Sequence, residues 1–226
     1  YGTVQVAHTE LGGRPVLFIP RHGRDHLPPH RVDYRAIVSA ARLSGARRMI
    51  STNTVGTMSY HSLGSIFIPL DFVEFTRSRR STFFEDRAVH VEMSQPYCPQ
   101  LRAILKEAAR SLGLEPSEGV YVCTEGPHLE SPAQIRMMRQ FGDVVGMTGY
   151  PEVVLAKEAA LCYASLCIVT NPACGLGDGS GSTLQEISET IGRYRSDLLR
   201  VLTMAAENIP EERSCGCADS LSGSGV

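Results

Sequence analysis

The run YASLCIVT at residues 163–170, with NPACG after it at residues 171–175, decides the fold class. Apolar residues at nearly every position are typical of a strand that is covered on both faces. Polar residues and glycine directly after such a strand are typical of the turns that bind ligands in α/β sheets. The sequence therefore predicts an α/β fold with a binding site near Asn171.

Strand-like and helix-like patterns alternate along the rest of the chain, which also favours an α/β fold. The predicted strands cover residues 16–19, 48–52, 65–70, 120–124 and 143–145, and the predicted helices cover 33–44, 99–112, 132–141, 151–161 and 183–208. Gly45 and Gly113 are C-cap candidates, and Pro151 suits a first helical turn. No repeat or linker interrupts the chain, so we expect one domain over residues 1–226, with a small-residue tail over 211–226.

Composition excludes several function classes. Of the 226 residues 42% are hydrophobic and 20% charged, as in a folded globular protein, and the net charge of −2 gives no basis for binding nucleic acid or a membrane surface. The longest apolar runs are far shorter than a membrane span, and no leader pattern is present. We therefore expect a cytoplasmic protein.

Seven cysteines are more than a cytosolic enzyme usually carries. They are scattered without a CxxC pair, which argues against a structural zinc site, so no metal is expected. The inner ones fit small buried hydrophobes, whereas the Cys215-Gly216-Cys217 tail favours intracellular disulfides, and both interpretations stay open.

Two segments suit a small oxyanion. Arg21 and His22 follow a predicted strand and precede Gly23, which lets the backbone approach a phosphate closely. The polar turn expected over residues 51–57 would offer backbone N–H groups to an anion. Each segment alone also fits an ordinary loop.

Three further segments begin where predicted strands end. Glu130 follows Gly126-Pro127 and stands near a helix start, where it either balances the helix dipole or accepts hydrogen bonds from a ligand. Met147 and Thr148 lie in another strand-to-helix turn, and Asn171 ends the apolar run. Their convergence at strand ends is a stronger sign of a ligand site than any one of them.

The chain is similar to a known family. The segments Arg21-His22-Gly23, Glu125-Gly126-Pro127 and Gly146-Met147-Thr148, with PEVVLAKE at residues 151–158, resemble the purine nucleoside phosphorylase / methylthioadenosine phosphorylase family, trimeric class. The resemblance runs in order to about Asn208. It implies a mixed, partly barrel-like sheet flanked by helices, a homotrimer or hexamer with each active site near a subunit boundary, phosphate as co-substrate, and no cofactor.

The resemblance also implies roles for single residues. Four positions match the phosphate site: Arg21, His22, Thr148 and the backbone N–H of Thr54. Three others match the nucleoside site: Met147 under the ribose, Leu129 over the base, and His90 reaching the 5′-substituent in the neighbouring subunit.

The predicted base contacts favour 6-oxopurines. Family members that take adenine have Asp where this chain has Asn171 and Ala173, and Ser where it has Glu130. Glu130 can accept the N1–H of hypoxanthine or guanine, and the Asn171 amide can donate to N7 and O6. We therefore expect inosine, guanosine or 5′-methylthioinosine as substrate. The alternatives are a methylthioadenosine phosphorylase and, from another class, a non-catalytic nucleoside-binding protein.

Three further expectations concern the ends and loops. Family members start with a strand and a glycine-rich phosphate loop that have no counterpart after Tyr1-Gly2; either the given sequence lacks this loop or the protein binds phosphate without it, and both interpretations stay open. The glycine-rich run at residues 175–181 lacks a full dinucleotide-binding pattern and is interpreted as a gate over the site. The resemblance to heat-stable archaeal members implies disulfides, for which we expect Cys98 with Cys167, and Cys162 with the tail.

Overall fold

The computed structural model describes residues 1–177 and 184–225. Within them the strands are β1 (Ala7–Leu11), β2 (Arg14–Phe18), β3 (Arg48–Thr57), β4 (Ile66–Phe75), β5 (Ser117–Thr124), β6 (Val144–Gly146) and β7 (Cys162–Pro172). The helices are α1 (Tyr34–Leu43), α2 (Pro99–Ser111), α3 (Pro132–Met138), α4 (Gly149–Glu158) and α5 (Leu184–Asn208), with short 3₁₀ turns at Pro29–Arg31 and Gly216–Asp219.

Five strands form a closed barrel in the order β3-β6-β5-β4-β7. Strand β3 runs parallel to β7 and antiparallel to β6, while β4, β5 and β6 are mutually parallel. An antiparallel pairing of β4 with β7 closes the ring. The α/β fold with a mixed, barrel-like sheet is therefore confirmed.

Strand β3 is longer than the sequence indicates. The polar turn expected over residues 51–57 is wrong, because β3 continues to Thr57 and pairs with β7 along its whole length, with a register shift after Val55. Asn53 is buried whereas Thr52 and Thr54 are exposed, so the strand presents a polar side chain to the interior. A buried amide in a strand interrupts the apolar pattern on which the sequence prediction depends.

A hairpin of β1 and β2 lies outside the barrel. The sequence analysis missed β1, because its residues are almost all exposed and lack the alternation of a half-buried strand. The predicted helices exist with shifted ends, and Tyr150 has non-helical backbone angles immediately before Pro151. The start of the last predicted helix and part of the predicted gate lie outside the described residues.

Helices cover the barrel on two sides. Helices α2 and α5 pack on β4 and β7 through residues such as Leu101, Leu105 and Val201, which are fully buried. Helices α1 and α4 pack together on another side, around Val38 and Leu155. None of the described helices is long and apolar enough to cross a bilayer.

The small-residue tail packs against the body of the protein. The Ser220 hydroxyl donates to the carbonyl of Lys157 at 2.6 Å, and the carbonyl of Ser224 accepts from the backbone N–H of His90 at 2.9 Å. Cys217 is buried, with 6% of its surface exposed. Residues 211–225 are therefore part of the folded domain.

All seven cysteines are free thiols. The predicted pairing of Cys98 with Cys167 is wrong, since Cys98 Sγ lies 3.5 Å from Cys215 Sγ while Cys167 Sγ lies 3.3 Å from the Ser165 hydroxyl, in a different part of the core. Cys162 does meet the tail, with its Sγ 3.4 Å from that of Cys215, but without a bond.

Candidate active site

The end of β6 and the turn after it form the centre of the candidate site. Val145 pairs with Gly56 of β3, which in turn pairs with Asn171 of β7. The carbonyl of Gly146 accepts from the Thr124 hydroxyl at 3.4 Å. Closure of the barrel thus brings the ends of β3, β5, β6 and β7 to one place, where the sequence analysis expected a ligand.

Arg21 is held by a buried carboxylate. Its Nε and Nη2 donate to the two carboxylate oxygens of Glu152 at 2.5 and 3.2 Å, and Nη1 donates to the carbonyl of Thr52 at 3.2 Å. The Glu152 side chain is 1% exposed. Burial by itself lowers the pKa of Arg21, but the Glu152 carboxylate more than offsets it and raises that pKa above its ordinary value. The guanidinium is therefore fixed in place and charged.

A chain of buried hydrogen bonds continues from Glu152 towards β3. The Tyr163 hydroxyl donates to Glu152 Oε2 at 2.9 Å and lies 2.8 Å from the Ser51 hydroxyl. Burial raises the pKa of Tyr163 well above its ordinary value, so the hydroxyl keeps the proton that it donates. Because that proton goes to Glu152, Ser51 donates to Tyr163 and not the reverse.

The same chain ends at Thr148. Asn53 Nδ2 donates to the hydroxyls of Ser51 at 3.2 Å and Ser165 at 2.5 Å. The Thr148 hydroxyl donates to Asn53 Oδ1 at 2.6 Å, and its backbone N–H donates to the Tyr121 hydroxyl at 3.3 Å. The structure therefore links two of the predicted phosphate ligands, Arg21 and Thr148, through side chains from three elements, α4, β7 and β3.

His22 lies beside Arg21 in the loop. Its Nδ1 is 2.7 Å from the carbonyl of Leu27, and its ring stacks on His26 with centroids 5.1 Å apart. Burial lowers the pKa of His22, the Leu27 carbonyl opposes this, and the charge of Arg21 lowers it further. The imidazole is therefore neutral at neutral pH.

Glu130 is a buried carboxylate with a local partner. It is 6% exposed, and its Oε1 accepts from the Thr124 hydroxyl at 2.6 Å. Glu130 precedes α3, whose N-cap is Ser131 with a capping box to Gln134. Since Ser131 and Gln134 satisfy that helix end, Glu130 is not needed as its cap.

Asn171 lies at the end of β7 against β3. Its Oδ1 accepts from the Thr170 hydroxyl at 2.8 Å, and its Nδ2 donates to the carbonyl of Pro172 at 2.9 Å. A Cβ at Gly56 would lie 3.2 Å from Asn171 Nδ2 and 3.4 Å from a methyl carbon of Val145. Because Gly56 has no side chain, the Asn171 side-chain amide has room to lie against β3.

Met147 packs against the Gly126 turn. A Cβ at Gly126 would lie 2.5 Å from Met147 Sδ, and the φ of 63° at Gly126 is strained for any other residue, so a side chain there would displace Met147. The motif Glu125-Gly126-Pro127 therefore shapes the surface around Met147.

Three predicted site residues, Thr54, Leu129 and His90, are exposed and have no described hydrogen bond from their side chains to the residues above. Thr54 follows Asn53 on β3 with an exposed side chain, and Leu129 is 37% exposed beside Glu130. His90 is exposed and lines a cavity of about 400 Å³ together with Phe84, Arg87 and other residues. The described residues that line this cavity include none of the other predicted site residues.

The sequence analysis missed the residues that connect the site. In the sequence alone, Glu152 is an ordinary acidic residue in the first turn of a helix, and Tyr163 and Asn53 are ordinary strand residues. Of these three residues, only Asn53 could have been noticed, because a polar residue there interrupts the apolar pattern of a strand. Within the described chain, the group with metal-ligand geometry is a set of four cysteines outside this site.

The fold agrees with comparisons to known proteins. A family model for the Phosphorylase superfamily matches residues 2–207, and the chain belongs to this family. The chain is 52% identical over 218 residues to the "Probable S-methyl-5'-thioinosine phosphorylase" of Methanosarcina acetivorans, covering 96% of this chain and 84% of that protein.

Two further relatives are less similar in sequence. The chain is 41% identical to the 6-oxopurine nucleoside phosphorylase of Pyrococcus furiosus, over 99% of this chain and 88% of that one. A crystal structure of a methylthioadenosine phosphorylase from an Antarctic soil metagenomic library is 29% identical, with a TM-score of 0.88 over 99% of this chain and 86% of that chain.

Proposed function

We propose that this chain is a pentosyltransferase that cleaves purine nucleosides with inorganic phosphate in purine salvage. It takes 6-oxopurine nucleosides, namely inosine, guanosine or 5′-methylthioinosine, and releases the free purine and the ribose 1-phosphate, or its 5-methylthio form. The names of the archaeal relatives at 52% and 41% identity support this class of substrate.

The observation that carries the proposal is the position of β6 between two groups of polar residues. On one side, Thr148 is joined to Asn53 and, through buried hydrogen bonds, to Arg21. On the other side, Gly146 contacts Thr124, the hydrogen-bond donor of Glu130. Met147 lies between them, at the position proposed for the ribose. We call the first set, Arg21 and Thr148 with the residues that link them, the phosphate half. We call Thr124, Glu130 and Asn171 the base half.

The phosphate half supplies fixed donors for an oxyanion. Within the described chain, Arg21 uses three of its five N–H groups on Glu152 and Thr52, which leaves two for phosphate. His22 and the backbone N–H of Thr54 complete this proposed set. The Thr148 hydroxyl donates to Asn53, so it must rotate away from Asn53 before it can donate to phosphate.

The base half matches the edge of a 6-oxopurine. The Glu130 carboxylate accepts the N1–H of hypoxanthine or guanine, whereas the unprotonated N1 of adenine would face it with a lone pair. One amide N–H of Asn171 donates to the carbonyl of Pro172, so the two N–H groups can donate to N7 and O6 together only when that bond is released. Leu129 covers the base. Sites that pair buried polar groups reject unmatched ligands by ~10⁴-fold or more.

The reaction follows from these positions. The C1′–N9 bond stretches first, so that its electron pair passes to the purine and the ribose gains oxocarbenium character. A phosphate oxygen then forms the new bond at C1′. Asn171 stabilises the negative charge on the departing purine, which takes a proton from solvent. Catalysis thus depends on positioning and preorganised electrostatics, and the reaction needs no cofactor.

The proposal includes a homotrimer or hexamer. His90 is exposed and lines a cavity that none of the other proposed site residues lines, which fits a residue that completes a neighbour's 5′-pocket. Light scattering coupled to gel filtration tests the assembly, since a monomer at micromolar concentration would contradict it. The cytoplasmic location stays a prediction.

The test is purine release from inosine, guanosine, 5′-methylthioinosine, adenosine and 5′-methylthioadenosine, each with and without phosphate. We expect phosphate-dependent turnover of the three 6-oxopurine nucleosides, and the ratio of inosine to 5′-methylthioinosine identifies the 5′-substituent. A preference for 5′-methylthioadenosine would contradict the base assignment and leave the reaction class intact. No turnover of any of the five, with nucleoside binding retained, would favour a non-catalytic binding protein.

A further inference from the structure

Four thiols meet where the tail packs against the start of β7 and the start of α2. Their ligand atoms all lie within 4.8 Å of one another, and the set, called here the cysteine cluster, is Cys98, Cys162, Cys215 and Cys217. Cys215 Sγ lies 3.5 Å from Cys98 Sγ and 3.4 Å from Cys162 Sγ. The spacing argument against a metal site therefore does not hold for these four, which are scattered in sequence and adjacent in space.

These separations fit one tetrahedral metal ion. With zinc–sulfur bonds of about 2.3 Å, the sulfurs at the corners of a tetrahedron lie about 3.8 Å apart. A disulfide needs about 2.05 Å between sulfurs, much less than the 3.4 Å between the Cys162 and Cys215 sulfurs. Cys215 is nearly equidistant from two partners, which suits a shared ion better than a bond to one of them.

The surroundings hold the cysteine cluster together without help from the thiols. Arg48 donates to the carbonyls of Glu211 and Glu212 at 3.1 and 3.0 Å, and Arg213 donates to the carbonyl of Ala160 at 2.9 Å. These bonds fix the chain just before Cys215. The site is thus preorganised, which lowers the entropy cost of binding an ion.

The cysteine cluster also has an electrostatic partner and an access route. Cys98 is the N-cap of α2, where the positive end of the helix dipole favours a thiolate. Cys98 and Cys162 are essentially inaccessible to solvent. A cavity of about 300 Å³, lined by Lys157, Asp219 and other residues, opens beside Cys217 and gives an ion a path in.

We propose that the cysteine cluster binds one Zn²⁺ ion as a tetrathiolate and so fastens the tail to the barrel. Four soft sulfur ligands in tetrahedral arrangement select zinc over the hard cations that prefer oxygen. Binding converts four thiols and Zn²⁺ into a tetrathiolate complex with a net charge of −2 and releases four protons. No redox step is involved.

The first experiment uses the full chain, reduced and handled without oxygen, and dialysed against Zn²⁺ and then against zinc-free buffer. We expect about one zinc per chain by mass spectrometry of the metal, and seven alkylatable thiols after denaturation with a chelator. Zinc-free protein with seven free thiols would overturn the proposal. Zinc-free protein that forms cystines within the cluster, seen as a loss of two mass units per bond, would also overturn it.

A second measurement does not depend on any variant. Titration of the reduced apoprotein with Co²⁺ should give thiolate-to-cobalt charge-transfer absorption and the visible bands of tetrahedral Co²⁺, saturating at one equivalent. Zn²⁺ should displace the cobalt and remove the colour. Bands of octahedral Co²⁺, or no saturation, would contradict a tetrathiolate site.

Matched variants locate the ion. Cys217→Ser should lower the bound zinc well below the wild-type amount, and added Zn²⁺ should no longer raise its Tm. Cys174→Ser removes a half-buried thiol outside the cluster and should keep the full amount of zinc. Equal zinc in both variants would overturn the assignment to these four residues.

Discussion

The two halves of the candidate site are held in different ways. In the phosphate half, hydrogen bonds join residues that are far apart in the chain, as between Arg21 and Glu152 or between Asn53 and Thr148. In the base half, Glu130 accepts from Thr124 six residues earlier, and Asn171 bonds to Thr170 and Pro172, its neighbours in the chain. The hydrogen bonds of the phosphate half therefore cross the barrel, whereas these bonds of the base half join residues close together in the chain.

This difference suggests which half can change between related proteins. A substitution in the base half alters bonds between residues close together in the chain, such as that from Thr124 to Glu130. A substitution in the phosphate half leaves a buried polar group without its partner, which costs stability as well as binding. Related proteins whose names refer to 6-oxopurine nucleosides and to methylthioadenosine share this fold, which agrees with a variable base half.

The largest effect is expected for Glu152→Gln. Loss of one partner from a buried ion pair costs about 3–5 kcal/mol, because the other charge stays buried and unpaired. We expect a lower free energy of unfolding in urea and, in protein that stays folded, a raised KM for phosphate with the base preference unchanged.

The control for this variant is Asp197→Asn, which breaks the more exposed pair with Arg200 on α5. Its free energy of unfolding should change by less than about 1 kcal/mol. Equal losses in the two variants would show that the phosphate half is not a connected unit.

The next largest effect is expected for Asn171→Ala. Loss of one donor to a developing negative charge costs on the order of 10²–10³ in turnover. We expect kcat for inosine to fall by this factor, while the KM for phosphate and the Tm change little. Normal turnover of inosine would contradict the role of Asn171 at the purine.

A smaller effect is expected for Thr124→Val, which removes the donor to Glu130. A hydrogen bond to a charged group is worth about 1.5–3 kcal/mol, so kcat/KM for inosine should fall roughly tenfold or more. The KM for phosphate should stay within about twofold, because Thr124 belongs to the base half. Thr203→Val, at a partly buried position of α5 outside the candidate site, is the matched control and should leave both constants unchanged.

The smallest effect concerns His22 and pH. Because folding lowers the pKa of His22, the native state binds fewer protons there than the unfolded chain, and this group reduces stability as the pH falls below about 6.5. A bound phosphate favours the imidazolium and should raise that pKa. NMR titration with and without phosphate, with His22→Asn to assign the signal, measures the shift. An unchanged pKa would place phosphate away from His22.

The fold could be predicted from the sequence where burial follows a regular pattern. Strand β7 and helix α2 are apolar at the expected positions, and both were found with ends correct to within a few residues. Strand β3 was cut short because Asn53 is satisfied by Ser165 and Thr148, far away in sequence. No local pattern carries that information.

The site was predictable only in part, for a similar reason. Residues that lie at strand ends, such as Thr148 and Asn171, stand next to recognisable turns. Glu152 and Tyr163 act through each other and through Arg21, so their pairing appears only once the barrel is closed. The cysteine cluster was missed for the same reason, since its four thiols come from three separate segments.

The closed barrel also orders events during synthesis on the ribosome. Strand β7 is the neighbour of both β3 and β4, so these two strands keep unpaired edges until residues 162–172 have emerged. Pairings of such long sequence separation form late and slowly. A nascent chain that stalls before residue 162 would therefore expose two strand edges and become a target for chaperones and proteases.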